Sequence, residues 1–99
     1  MNKQEVKLEE GCFYLEQLEL GGQIIFNRYH KILSKNEDYK HRNVFFSEQF
    51  TTRNNGEIEV CTKGSAEIQR FTRNIFSQID EKTYNSKKKE MFELLKKKM

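Results

Sequence analysis

Two cysteines and two histidines, Cys12, His30, His41 and Cys61, are the residue types in this chain best suited to hold zinc or to act as a nucleophile with a base. Local zinc sites present two ligands from one turn through C-x-x-C or H-x-x-x-H spacing, and none of these four residues has such a neighbour. A nucleophilic cysteine needs an adjacent base and a third group that orients it, and nothing local to Cys12 or Cys61 supplies either. Glu9 and Glu10 form a carboxylate pair only in sequence, because adjacent residues on a helix point apart. No G-x-x-x-x-G-K-[ST] or G-x-G-x-x-G loop is present to cradle a phosphate. The chain therefore reads as non-enzymatic, with no metal and no cofactor.

A second constellation is basic and aromatic. Arg28, Lys31, Lys35, Tyr39, Lys40 and Arg42 interleave cations with a tyrosine across residues 28–42, and Arg70 with Arg73 can extend that surface. Such cations neutralise phosphates while an aromatic face stacks on a base. No helix-turn-helix, zinc finger or RNP-type motif accompanies them, so the expectation is weak, salt-sensitive binding of DNA or RNA without sequence preference. A competing expectation is a protein-interaction module, acting as a homodimer or as an inhibitor of a host protein through Phe45, Met91, Phe92 and Leu95. A solvated basic face, with Tyr29 in the core, is the plain structural alternative.

The elements that must position these residues follow from pattern. Residues 3–20 read as a helix, from Leu8, Cys12, Leu15 and Leu18 with Gly21-Gly22 as its stop, or else residues 12–20 read as a strand turning through Gly21-Gly22 into residues 23–33. Residues 23–33 read as a strand, with Ile24, Phe26, Arg28, His30 and Ile32 on one face and Ile25, Asn27, Tyr29, Lys31 and Leu33 on the other. Residues 34–43 are a polar loop. Two further strands, 44–52 and 57–63, flank Asn54-Asn55-Gly56, a turn whose residues tolerate positive φ. Ser65 is placed to cap a helix carrying Ile68, Phe71, Ile75 and Ile79. A break at 82–87 separates it from a basic amphipathic helix over 86–97.

At 99 residues, 35% hydrophobic and 33% charged, the chain fits one domain spanning 1–99. The expected fold class is α+β: an antiparallel sheet of three to four strands packed by a C-terminal helical pair, with an N-terminal helix or hairpin. A homodimer that pools two thin cores suits so apolar-poor a chain. Charge is asymmetric. Residues 1–22 set two Lys against five Glu, whereas residues 83–99 set six Lys against Glu90 and Glu93, so opposite ends can attract within or between subunits. No run approaches the roughly 20 apolar residues of a membrane span, and the start lacks the features of a signal peptide, which favours the cytoplasm. The absence of Pro and Trp, a single Ala and thirteen Lys point to an AT-rich genome and a viral or mobile-element origin, in which case the location is the host cell cytoplasm.

Overall fold

Alternation of apolar and polar side chains dominates the chain as far as Ile79. In the computed structural model, which describes residues 6–39, 42–68 and 74–97, this alternation produces five strands before a single helix. The strands are β1 (Phe13–Leu20), β2 (Gln23–Lys35), β3 (Phe45–Arg53), β4 (Ile58–Ala66) and β5 (Asn74–Ile79); the helix is α1 (Glu81–Lys97). They form one antiparallel sheet in the order β4-β3-β2-β1-β5. The class is α+β, with five strands where three to four were expected. No helix among the described residues is long and apolar enough to cross a membrane.

Local chemistry sets the reversals. Leu20 pairs with Gln23 across Gly21 (φ 58°) and Gly22 (φ 79°), a two-residue turn in which both central residues take positive φ and a side chain would be strained. At the next hairpin, Gly56 (φ 87°) donates its amide to the Arg53 carbonyl, and the Asn55 carboxamide accepts from the Glu57 amide.

Several sequence expectations are corrected. Of the two readings of the N-terminal segment the helix is overturned and the strand is formed: residues 13–20 are β1, which turns through Gly21-Gly22 into β2, with the amide of Ile32 donating to the Cys12 carbonyl just before it. The helix expected from Ser65 is absent, since Ser65 and Ala66 end β4 while Ile75 and Ile79 belong to β5; Phe71 lies outside the described residues. Ile75 and Ile79 are four apart, which suits one face of a strand as well as one face of a helix. What decides between them is Phe76, which becomes 9% exposed only because a strand turns it to the opposite face. The expected helical pair is one helix. It runs unbroken through 82–87 because Tyr84, 1% exposed, anchors its first turns. Asp80 caps α1 by accepting from the Thr83 amide at 2.7 Å, and Glu81 and Lys96-Lys97 complement the dipole.

The sheet separates two cores. On one face α1 packs across β1 and β2, placing Tyr84 and Met91 against Phe13 and Phe50, with Tyr29, Ile58 and Ile79 around them. The Tyr84 ring lies 4.9 Å from Phe13 and 5.2 Å from Phe50. Its hydroxyl donates to Glu48 Oε1 at 2.8 Å, which Lys88 Nζ also meets at 2.7 Å. On the other face Tyr14, Ile32, Phe45, Ala66 and Phe76 cluster under Leu8. Ser65 and Ala66 at the end of β4 and Asn74 on β5, the two edge strands, line one cleft, so this face is concave. The Tyr14 hydroxyl ties the N-terminal segment down, donating to the Lys7 carbonyl and accepting from the Glu9 amide.

Met91 is 4% exposed and carries the distal half of the helix contact. Met91→Ala is expected to destabilise the fold by about 2–4 kcal/mol, since the rigid aromatic neighbours cannot collapse into the space left. Urea unfolding followed by circular dichroism measures this.

Candidate binding cleft

Three adjacent strands place a polar residue at the middle of the concave face: Glu16 on β1, His30 on β2 and Ser47 on β3. Their exposures are 6%, 0% and 0%. Such burial is tolerated only where every donor and acceptor is matched. The His30 ring supplies the match, with Nε2 2.8 Å from Glu16 Oε1 and Nδ1 3.0 Å from Ser47 Oγ. Ser47 Oγ also accepts from Gln49 Nε2 at 2.8 Å, and Asn74 on β5 donates to Glu16 Oε2. With the ring proton on Nε2 the hydrogen bonds all run in one sense, from Gln49 to Ser47, from the Ser47 hydroxyl to Nδ1, and from Nε2–H to the carboxylate. Among the described residues no buried side-chain nitrogen or oxygen lacks a partner.

The connectivity of Ser47, His30 and Glu16 is that of a nucleophile, a base and an orienting carboxylate. Its placement is different: the serine hydroxyl is fully enclosed and already engaged on both sides, so the chemistry it performs is to lock three strands in register. Arg28 closes the network at its solvent side. Its Nε donates to Thr51 Oγ1 at 2.9 Å, its Nη1 lies 3.5 Å from Glu16, and its guanidinium covers the Phe26 ring at 4.6 Å.

Burial pushes the Glu16 carboxyl up, but hydrogen bonds from His30 and Asn74 and the Arg28 charge outweigh it and hold the group below the ordinary carboxylate value. Beyond Arg28 the face opens into a cleft of about 340 Å³, floored by Glu16, Arg28 and Asn74 and walled by Tyr39, Arg42, Ser65 and Glu67. Arg42 forks onto Glu67, with Nε to Oε2 at 2.8 Å, and its guanidinium stands 5.3 Å from the Tyr39 ring. The cleft therefore carries two arginines, each matched by a glutamate.

Of the basic and aromatic residues singled out from sequence, Arg28, Tyr39 and Arg42 meet at this cleft. Lys31 lies on the opposite, helix-bearing face, paired across the ladder with Glu48. Lys35 stands at the end of β2, outside the cleft lining, and its amide donates to Glu10 Oε1 at 3.3 Å. Lys40, Arg70 and Arg73 lie outside the described residues, as does His41. Of the apolar candidates, Phe45 (9% exposed) and Met91 are internal, Leu95 is half-buried, and Phe92 is 43% exposed. Cys12 packs beside the concave core and Cys61 is exposed on β4; both are free thiols. No group of three or more metal-ligating side chains is found among the described residues.

Sequence reasoning missed Glu16, Ser47, Thr51 and Asn74 as members of one site. The available signal was positional: Glu16 interrupts Tyr14 and Leu18, and Ser47 follows Phe45, at inward-facing positions that are otherwise apolar. No protein-family model matches this chain, and comparison with curated proteins and with solved structures finds no similar protein.

Because the Glu16 carboxyl is depressed in the folded state, its stabilising contribution is complete above the unfolded value of about 4.3 and is lost as pH falls through the lower folded value. In urea melts between neutral and strongly acidic pH, wild type is expected to lose stability more steeply below that point than Glu16→Gln. Equal slopes would show that Glu16 is not the coupled group.

Proposed function

We propose that this chain is a non-enzymatic interaction protein that acts as a homodimer. The observation that carries this reading is the incomplete cover of the helix-bearing face. Strands lie about 4.8 Å apart, so five of them span roughly 19 Å between outer axes, whereas one helix with its side chains is about 10–12 Å wide. The single helix packs on β1 and β2. The uncovered flanks leave Val60 on β4 46% exposed and Ile75 on β5 56% exposed, both on the helix side of the sheet. Phe92 and Leu94, 43% and 46% exposed, fall on opposite flanks of the line joining Tyr84 to Met91. Apolar side chains on both borders of one face suit a contact that extends the core. The acidic first quarter and basic helix add charge of opposite sign for such a contact between copies.

A second reading, weak nucleic-acid binding without sequence preference, is favoured by the exposed side of α1. Lys82, Lys89 and Lys96 recur every seven residues and are all exposed, a row that can follow a phosphate backbone. Cytoplasmic action in a host cell and a viral or mobile-element origin remain part of the proposal on compositional grounds.

One preparation tests both. Sedimentation equilibrium is expected to give a dimer, and Phe92→Glu with Leu94→Glu to weaken it tenfold or more, about 1.4 kcal/mol per tenfold. A monomer at every concentration rejects the dimer reading, and complexes with duplex DNA or RNA that dissolve as salt rises would put the nucleic-acid reading in its place.

A further inference from the structure

We propose that two copies join edge to edge through β5, pairing antiparallel about a two-fold axis at Ser77 to form one ten-stranded sheet. This rests on the homodimer reading above and names its interface.

The sheet has two edges, and the chain treats them differently. An exposed edge strand offers unpaired amides and carbonyls, and proteins blunt such edges with bulges and charges. β4 carries both devices: its pairing with β3 shifts register between Ser47 and Gln49, and it bears Glu59 and Lys63. β5, with the sequence NIFSQI, carries neither. Its register against β1 is unbroken from Asn74 to Ile79, it holds no charged residue, and no described segment pairs with its outer side.

The ladder fixes which groups that edge presents. The Ile32 amide donates to the Cys12 carbonyl at 3.0 Å, so positions 12, 14 and 16 of the chain direct their backbone toward β2 and positions 13, 15 and 17 toward β5. Their partners Ile79, Ser77 and Ile75 then direct theirs toward β1. The amides and carbonyls of Phe76 and Gln78 are left on the open side. Antiparallel pairing of two such edges about Ser77 exchanges hydrogen bonds between Phe76 of one copy and Gln78 of the other. It sets Ile75 opposite Ile79 of the second copy on the helix-bearing face, and Asn74 opposite Asp80. The register is self-complementary, brings no like charges together, and covers Ile75, the most exposed large apolar side chain among the described residues. It also joins the strips that each helix leaves bare over its own β5.

The test places Ser77→Cys in a chain carrying Cys12→Ala and Cys61→Ser. Residues opposite each other at a non-hydrogen-bonded antiparallel position have Cα atoms about 4.5 Å apart, within the span of roughly 4.4–6.8 Å that a disulfide bridges. Mild oxidation is expected to link most of the protein into covalent dimer, and Ile75→Lys, checked for folding by circular dichroism, to weaken the dimer at least tenfold. A dimer that neither cross-links at 77 nor responds to Ile75→Lys overturns this interface and leaves the homodimer reading standing. Wild-type protein that cross-links through Cys61 assigns the dimer to the β4 edge and overturns it too. A monomer under all conditions overturns both.

Discussion

The imidazole of His30 is the joint on which the concave half of the molecule depends. It is wholly enclosed, and both ring nitrogens are committed, one to Glu16 on β1 and the other to Ser47 on β3. A ring in the middle strand that engages side chains on both neighbours is satisfied in one register only, because a slip by a single residue turns every side chain to the other face. Removing any member would strand a buried polar atom, so the network specifies the alignment of β1, β2 and β3 even where its net contribution to stability is modest.

Around that joint the two faces work by different means. The helix-bearing core is aromatic, with Phe13, Phe50 and Tyr84 within ring-packing distance and Tyr29 stacked 5.0 Å from Phe50. Its polar elements sit at the rim, where Tyr84 and Lys88 both meet Glu48. Burial and the neighbouring Glu48 carboxylate push the Tyr84 phenol well above its ordinary value, so it stays a neutral donor and α1 remains pinned to β3. The concave face alternates apolar and polar layers instead, and its outer layer of paired arginines and glutamates leaves a cleft whose charges are internally balanced. Of the residues that look like a basic patch in sequence, Arg28 and Arg42 are each held by a glutamate on this face, whereas Lys31 lies on the other side of the sheet.

The edges and glycines show where close approach matters more than burial. A Cβ at Gly64 would stand 2.6 Å from the Gln49 side chain, the same side chain that donates to Ser47 and to the Ser65 carbonyl. A glycine beside the bulge in β4 therefore lets Gln49 fold inward and finish the buried network. The unguarded edge is at the other end of the sheet, on β5, next to the strip of sheet the single helix leaves bare.

Local pattern alone determined the α+β class, the reversals at Gly21-Gly22 and Asn54-Asn55-Gly56, the strand from Gln23 and the division of its residues between two faces, because strand alternation and positive-φ turns are properties of neighbouring residues. Only the tertiary structure decided the rest. Ile75 and Ile79 fit one side of a strand or of a helix, and the open edge of β1 with a place for Phe76 in the concave core settled the strand. The span 82–87 lacks an apolar run, and Tyr84 makes it helical by packing on strands 34 and more residues away in the chain. Glu16, Ser47 and Asn74 join His30 as one site only because four strands bring them together, and no local rule encodes contacts over such separations.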